Sequence, residues 1–245
     1  MIISVVNDSK VVSDDTLLGA VRAINRQIAE DVAPYWGLSA TLRLDATGRG
    51  GTVRTVRGDA LIRLRDDVSS FHATIDDGFP EGQVFTSIEQ HIKATNTYLA
   101  WTVALSHEAI ELLIDPNVNT LVRGPHPTAK RQVFYYREVC DPVQADVYQV
   151  DGINVANFVL PDYYSVGKKS PNTNFLGTPL KPFGWAKGGL VGFWDPLHGK
   201  HGAYVTAPAL DKNDVRKKFA LLKDKANAAR ILRYARPLRD AKRKR

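Results

Sequence analysis

The segment from Tyr98 to Ile114 constrains this chain most, because a few ionisable groups interrupt an otherwise apolar run. Its main apolar residues are Leu99, Trp101, Val103, Leu105, Ile110, Leu112, Leu113 and Ile114. The run ends at Asp115-Pro116, where a proline stops a helix. The segment is long enough for a buried helix, and its few polar residues include Ser106, His107, Glu108 and Glu111.

Two of these polar residues have the spacing of metal ligands. His107 and Glu111 are four residues apart, so on a helix their side chains project from one face and can meet one ion. Glu108 is placed to accept a proton from a metal-activated water, as in His-Glu-x-x-His sites. Burial of unpaired ionisable groups is costly, so these groups must be paired, solvated or bound to an ion. The pattern favours one zinc ion over a satisfied network of core polar groups.

A catalytic zinc ion usually takes three protein ligands and keeps one open position. Glu138 and Asp141, two acids at the end of an apolar stretch, are the candidates for the third ligand, and we expect Glu138 before Asp141. Asp115 is a further candidate, either as a ligand or as a residue that orients His107 by a hydrogen bond. It is equally suited to closing the helix before Pro116.

Four segments carry an additional pattern. They are VAPYWG at 32–37, SHEAIE at 106–111 with Asp115-Pro116, EVCDPV at 138–143 and NFVLPDYY at 157–164. Together they resemble an uncharacterised bacterial and phage-associated family with a zincin-like metallopeptidase signature, over roughly the first two thirds of the chain. The resemblance implies an α+β fold in which a small mixed β-sheet lies beside the active-site helix, with substrate along an edge strand within residues 71–86. Glu111 stands where zincins usually have His.

These observations predict a zinc-dependent metallopeptidase, an amide hydrolase that acts on a peptide or protein substrate. A metal-activated water attacks the carbonyl, and Glu108 is the general base. One further donor is needed to stabilise the oxyanion. Tyr163, Tyr164 and Tyr148 are candidates, and each is equally suited to packing.

Hydrophobic spacing predicts the other elements. It indicates strands at 2–6, 40–44 and 60–64, a helix from Ser13 to Pro34, extended chain at 71–75, 83–86 and 132–139, and a hairpin over 148–159. Residues 88–94 are ambiguous and also fit a helix. Residues 161–208, which are rich in glycine, proline, asparagine and aromatic residues, are expected to form long ordered loops over one face.

Composition sets the remaining limits. A chain of 245 residues with 44% hydrophobic residues can bury a sizeable core. Cys140 is the only cysteine, which excludes an internal disulfide and a thiolate-rich metal site. The sequence has neither a signal-peptide pattern nor a long apolar run, so we expect no membrane span and a cytoplasmic or virion-associated protein.

The basic charge is concentrated at the C-terminal end. Residues 211–245 hold 14 Lys or Arg and 4 Asp, so of the net charge of +7 they contribute +10 and the rest of the chain −3. We expect a metallohydrolase domain at 1–210, with 161–208 as its loop-rich cover, and a basic amphipathic helix at 211–245. That helix is suited to contact a protein or nucleic acid. A structural or interaction protein, for example a phage particle component with a zincin-like fold and a basic assembly tail, is therefore the alternative function.

Overall fold

Among the residues that the structure describes, the fold is mixed α and β, with four sheets and few helices, which is compatible with the predicted α+β class. The computed structural model describes residues 1–45, 58–66, 74–76, 79–86, 90–92, 97–99, 101–117, 120–168, 171–197 and 200–206. The basic segment at 211–245 lies outside the described residues. No helix among the described residues is long and apolar enough to cross a membrane.

Helices and strands are interspersed along the chain without a regular repeat of strand and helix. The helices are α1 (Asp14–Gln27), α2 (Ala33–Trp36) and α3 (Trp101–Ile114). The strands are β1 (Ile2–Asn7), β2 (Thr41–Asp45), β3 (Ala60–Arg65), β4 (Thr74–Asp76), β5 (Phe79–Phe85), β6 (Gln90–Ile92), β7 (Thr97–Leu99), β8 (Leu121–Pro125), β9 (Gln132–Tyr136), β10 (Val147–Val150), β11 (Ile153–Ala156), β12 (Leu190–Asp195) and β13 (Lys200–Thr206).

A five-stranded mixed sheet forms the first layer, in the order β2-β1-β3-β5-β4. Neighbouring strands run parallel except at the end of the sheet, where β4 pairs antiparallel with β5. Residues 3–6, the middle of strand β1, are buried, as expected for a central parallel strand. The edge strand predicted within residues 71–86 is thus β4, and β5 lies inside the sheet.

The first helical region is longer than the sequence predicts, because it continues through Pro34 to Trp36. Ser13 caps α1 by accepting a hydrogen bond from the backbone of the first turn. A π-helical turn at Ile28–Val32 then joins α1 to α2. Pro34 is tolerated because it stands in the first turn of α2, where a backbone N–H needs no partner within the helix. Gly37, with a φ of 65°, ends α2 in the left-handed region.

Helix α3 lies between the five-stranded sheet and the hairpin of β10 and β11. It packs on β3 and β5 on one side and on β11 on the other. Its buried apolar residues belong to the main hydrophobic core together with residues of α1, β1 and β3. The helix begins at Trp101, so Leu99, which was predicted to be helical, lies in strand β7 instead.

The predicted hairpin over 148–159 is confirmed, with a first strand that begins one residue earlier and a second strand that ends three residues earlier than predicted. Strands β10 and β11 pair antiparallel, and the two turn residues, Asp151 and Gly152, have φ values of 50° and 78°. Positive φ at both central residues matches the twist of the flanking strands. The turn therefore explains why these two short strands meet in this register.

The prediction of loops alone for residues 161–208 is wrong in its second half. Strands β12 and β13 form a four-stranded antiparallel sheet with β9 and β8, in the order β13-β12-β9-β8. The sheet has its own small core of Val133, Tyr135, Phe183, Val191 and Phe193. Strand β12 escaped prediction because five of its six residues are buried, so it has no alternation of apolar and polar residues. Residues 90–92, left ambiguous by the sequence, form strand β6.

Candidate metal centre

Helix α3 brings two of the predicted ligands together, and a short turn supplies the third. The Nε2 atom of His107 lies 3.2 Å from Oε2 of Glu111 and 3.5 Å from Oδ1 of Asp141. One donor atom from each residue lies within 4.8 Å of the other two. We call these three residues the donor cluster. Their side chains are only 12–14% exposed, so the cluster is largely shielded from water.

Asp141 reaches the cluster because its turn is fixed on both sides. It is the first residue of a 3-10 turn, Asp141–Val143, which follows β9. The preceding amide, of Cys140, donates a hydrogen bond of 3.1 Å to Oε1 of Glu111. On the other side the amide of Ala186 donates to the carbonyl oxygen of Pro142, 2.8 Å away. Gly189 packs so closely that an added Cβ would lie 2.1 Å from that carbonyl oxygen.

The two carboxylates dominate the electrostatics of the imidazole. Burial alone lowers the pKa of His107, because a desolvated cation is disfavoured. The charges of Glu111 and Asp141 and their hydrogen bonds outweigh burial, and the pKa of His107 is raised well above 6.5. The donor cluster therefore has a strong preference for a positive charge, which a proton or a metal ion can provide.

The geometry of the donor cluster fits a small divalent cation. Zinc binds imidazole nitrogen and carboxylate oxygen at about 2.0–2.2 Å in a tetrahedral arrangement, so two ligand atoms lie about 3.3–3.6 Å apart. The two separations measured from His107 Nε2 are 3.2 and 3.5 Å. The group can thus hold a metal ion, and three protein donors leave one position of a tetrahedron for another ligand.

Asp141, which the sequence ranked second, is the acid that joins the cluster, and Glu138, ranked first, is not a member of it. Glu138 instead lines a cavity of about 10 Å³ together with Asp141 and Tyr164. Asp115, considered as a ligand or as a residue that orients His107, accepts hydrogen bonds from the amide and the hydroxyl of Thr120, at 2.9 and 3.0 Å. These contacts close the turn after α3.

Glu108, the predicted general base, is 8% exposed. It faces strand β5 at Gly82, where an added Cβ would lie 3.5 Å from the Cβ of Glu108. This distance is an ordinary van der Waals contact, so α3 and β5 pack directly on each other at this point. Glu108 therefore lies on the side of α3 that packs against the five-stranded sheet.

The tyrosines differ sharply in what their hydroxyl groups contact. The hydroxyl of Tyr163 donates to the carbonyl oxygen of Gly184, 2.6 Å away. The hydroxyl of Tyr148 donates to Oδ2 of Asp31, 2.7 Å away. The hydroxyl of Tyr164 is buried and has no hydrogen-bond partner among the residues that the structure describes. Burial, with the nearby charges of Glu138 and Glu111, raises the pKa of Tyr164 well above 10.

Sequence reasoning missed a second buried polar group beside the cluster. The hydroxyl of Ser106 donates to Oε1 of Gln27 at 2.7 Å and accepts from the amide of Ala156 at 3.1 Å. The side-chain amide of Gln27 donates to the carbonyl oxygen of Ala156 at 2.9 Å. We call these three residues the Ser106 network. The signal for it was Gln27 itself, a polar residue on the apolar face of α1 three positions after Ile24.

Comparisons of the chain with protein-family models, with curated proteins and with solved structures found no match.

Proposed function

We propose that this chain is a zinc-dependent hydrolase of amide bonds, a metallopeptidase with a zincin-like arrangement of helix and sheet. The observation that carries the proposal is the donor cluster, in which one imidazole and two carboxylates are spaced for a single tetrahedral cation. Imidazole is a common ligand of zinc, and zinc also accepts carboxylate oxygen. Three protein donors with one free position are typical of catalytic zinc.

The chemistry divides between the ion and the chain. A zinc ion in the donor cluster would act as a Lewis acid on the substrate carbonyl and lower the pKa of water towards about 7. Glu108 accepts the proton of the attacking water and returns it to the leaving amine. Its low exposure and its place next to His107 in α3 support this role.

The sheet supports a peptide as the substrate. Strand β4 is last in the order of its sheet, and Glu108 faces β5, the strand beside it. An extended peptide can add to the edge of a sheet through backbone hydrogen bonds, with its side chains on alternate faces.

Metal content and hydrolysis together test the proposal. Wild type, Asp141→Asn, Glu138→Gln and Glu108→Gln are incubated with zinc, freed of unbound metal and measured by plasma mass spectrometry, then assayed on a mixed peptide library. We expect about one zinc ion per chain in wild type, Glu138→Gln and Glu108→Gln, and none in Asp141→Asn. Glu108→Gln should lose hydrolysis by roughly 100-fold or more, since general base catalysis contributes about that much.

Glu138→Gln is the matched control, because it removes an equal charge three residues before Asp141 and outside the donor cluster. A wild type without zinc would refute the proposal. A wild type that binds zinc and cleaves no peptide would favour a second candidate, a structural or interaction protein. The burial of the cluster supports that candidate, because a cation there would tie α3 to the turn at Asp141–Val143.

A further inference from the structure

A cavity of about 300 Å³ lies where the end of α1 meets the hairpin of β10 and β11. Ligand pockets in proteins typically span about 300–1,000 Å³. On the helical side the wall includes the π-helical turn Ile28–Val32, which contributes Glu30 and Asp31. Single π-helical turns at α-helices are frequent at functional sites. None of the three residues of the donor cluster lines this cavity, so it is a separate candidate site.

The charged groups of the cavity leave an excess of negative charge. Among the residues that the structure describes, its charged lining consists of Arg26 and the carboxylates of Glu30, Asp31 and Asp151, with a formal net charge of −2. Glu30 and Asp151 stand at the open rim, with side chains 58% and 53% exposed. Asp31 is more buried. Burial raises the pKa of its carboxyl, although a hydrogen bond from Tyr148 opposes the shift, so an added cation would stabilise this carboxylate.

Two aromatic rings form the apolar part of the wall. The ring centroids of Tyr148 and Phe175 are 5.1 Å apart, and Phe158 stacks on Phe175 with centroids 5.2 Å apart. The hydroxyl of Tyr148 donates to Oδ2 of Asp31 and accepts a hydrogen bond of 3.0 Å from the side-chain amide of Gln27. These contacts fix both rings beside the carboxylate. Aromatic faces next to carboxylates attract organic cations.

Arg26 indicates which kind of cation the carboxylates accept. Its Nε atom lies 2.9 Å from Oε2 of Glu30, and its Nη1 atom lies 2.6 Å from Oδ1 of Asp151. The rim therefore already holds one guanidinium group, which the chain itself provides. A guanidinium group is planar, stacks on aromatic rings and pairs with carboxylates through several N–H groups. One such group neutralises only part of the negative charge of the cavity.

We propose that this cavity binds a second guanidinium group on a short apolar stem, with the cation against Asp31 and the stem along the rings of Tyr148 and Phe175. An arginine side chain of a peptide and a small free molecule share this chemistry. The proposal goes beyond the metallopeptidase function, and it needs no metal ion because the donor cluster takes no part in it.

The test is a titration of the full chain with butylguanidinium, followed by the amide signals in NMR spectra. Butylurea, which has nearly the same shape and no charge, is the control ligand. Ionic strength is held constant, because salt screens exposed charges. Butylguanidinium should bind saturably, with the largest shifts at residues 26–31 and 148–151. Butylurea should bind roughly tenfold more weakly or worse, because it lacks the charge that carboxylates and rings attract.

Three variants place the ligand in the cavity. Asp31→Asn keeps an oxygen for the hydroxyl of Tyr148 and removes the charge, so it should bind butylguanidinium roughly tenfold more weakly. Arg26→Gln removes the guanidinium that already occupies the rim, so it should bind the probe roughly threefold more tightly. Asp162→Asn is the matched control. It removes an equal charge outside the cavity, where Asp162 pairs with Lys168, and should bind as wild type does.

Equal affinities of wild type for butylguanidinium and butylurea would overturn the proposal. A folded Asp31→Asn variant with the affinity of wild type would do the same. If Asp31→Asn does not fold, Arg26→Gln decides, because Arg26 is exposed on α1 and unchanged or weaker binding by that variant contradicts the proposal. Zinc is absent from all these titrations, so their failure leaves the metallopeptidase function untouched.

A competition experiment distinguishes the two sources of the guanidinium group. A glycine–arginine–glycine peptide with both ends capped carries one guanidinium and no other charge. Displacement of butylguanidinium by this peptide would support an arginine side chain as the ligand. Binding of butylguanidinium that the peptide does not displace would support a small free molecule.

Discussion

Ser106 and His107 are adjacent in α3, yet their polar surroundings differ. The hydrogen bonds of Ser106 are satisfied by neutral groups, whereas His107 faces an excess of negative charge. In the Ser106 network the three hydrogen bonds among Ser106, Gln27 and Ala156 join neutral groups at 2.7–3.1 Å. In the donor cluster two carboxylates face one imidazole. The folded chain alone satisfies the hydrogen bonds of the Ser106 network, whereas the donor cluster has an excess of negative charge.

This difference distinguishes residues that stabilise the fold, in the Ser106 network, from residues that are suited to bind a cation, in the donor cluster. A satisfied neutral network costs little to bury, while an anionic group in a shielded place must recruit a proton or a cation. The position of the donor cluster next to the Ser106 network therefore gives α3 one residue that fixes its position and, beside it, one that can hold an ion.

The largest expected effect is the response of stability to zinc. Free zinc at 1,000 times its dissociation constant should raise the free energy of unfolding by about 4 kcal/mol, because only the folded chain presents the donor cluster. Denaturant unfolding with zinc and with a chelator measures the difference. Ser106→Ala should keep the full zinc response and Asp141→Asn should lose it. An equal response in all three proteins would mean that zinc binds elsewhere.

The next effect is the cost of breaking the Ser106 network. Ser106→Ala leaves Oε1 of Gln27 without its donor and the amide of Ala156 without its acceptor, both in the core. Two unsatisfied buried groups should lower the free energy of unfolding by about 3 kcal/mol. The loss should be equal with and without zinc. A loss that appears only in zinc-loaded protein would show that the Ser106 network acts through the donor cluster. It would contradict the separation of a stabilising network from an ion-binding cluster.

The sequence alone could predict the features that depend only on residues within α3. The four-residue spacing of His107 and Glu111 follows from helix geometry alone, and the apolar run around them marks a buried helix. The third donor was harder to choose, because Glu138 and Asp141 are only three residues apart on a loop. Which of them meets His107 depends on the turn at Pro142, which contacts Ala186 and Gly189 from a distant part of the chain.

The same limit applies to the fold. The parallel strands β1 and β3 have simple patterns and were predicted, as was the hairpin of β10 and β11. Strand β12 was not, because it pairs with β9, where Phe193 lies opposite Tyr135 from far earlier in the chain, and its buried residues leave no periodic pattern. Tyr164 could be named as a donor candidate from the sequence. Its distinction from Tyr163 required knowing that Gly184 accepts one hydroxyl and that no described residue accepts the other.

The smallest effect, and the one that most sharpens the contrast between the two groups, is the dependence of stability on pH. In metal-free protein the folded pKa of His107 is raised above its unfolded value of about 6.5. A raised pKa gives stability that is fully present below about pH 6.5 and is lost as pH rises through the folded pKa. The slope is at most about 1.4 kcal/mol per pH unit for one proton. Urea unfolding of chelated protein across this range measures it.

Zinc should reverse the sign of this dependence, because protons compete with the ion for His107 and zinc affinity falls as pH is lowered. Glu111→Gln removes the strongest cause that raises the pKa of His107, so in metal-free variant protein the loss should begin at lower pH. Ser106→Ala should leave the pH profile of wild type unchanged in shape, since neither Ser106 nor the two groups that its hydroxyl contacts, Oε1 of Gln27 and the amide of Ala156, titrates. A metal-free wild type whose stability does not decline above pH 6.5 would contradict the idea that the donor cluster takes up a proton when it lacks a cation.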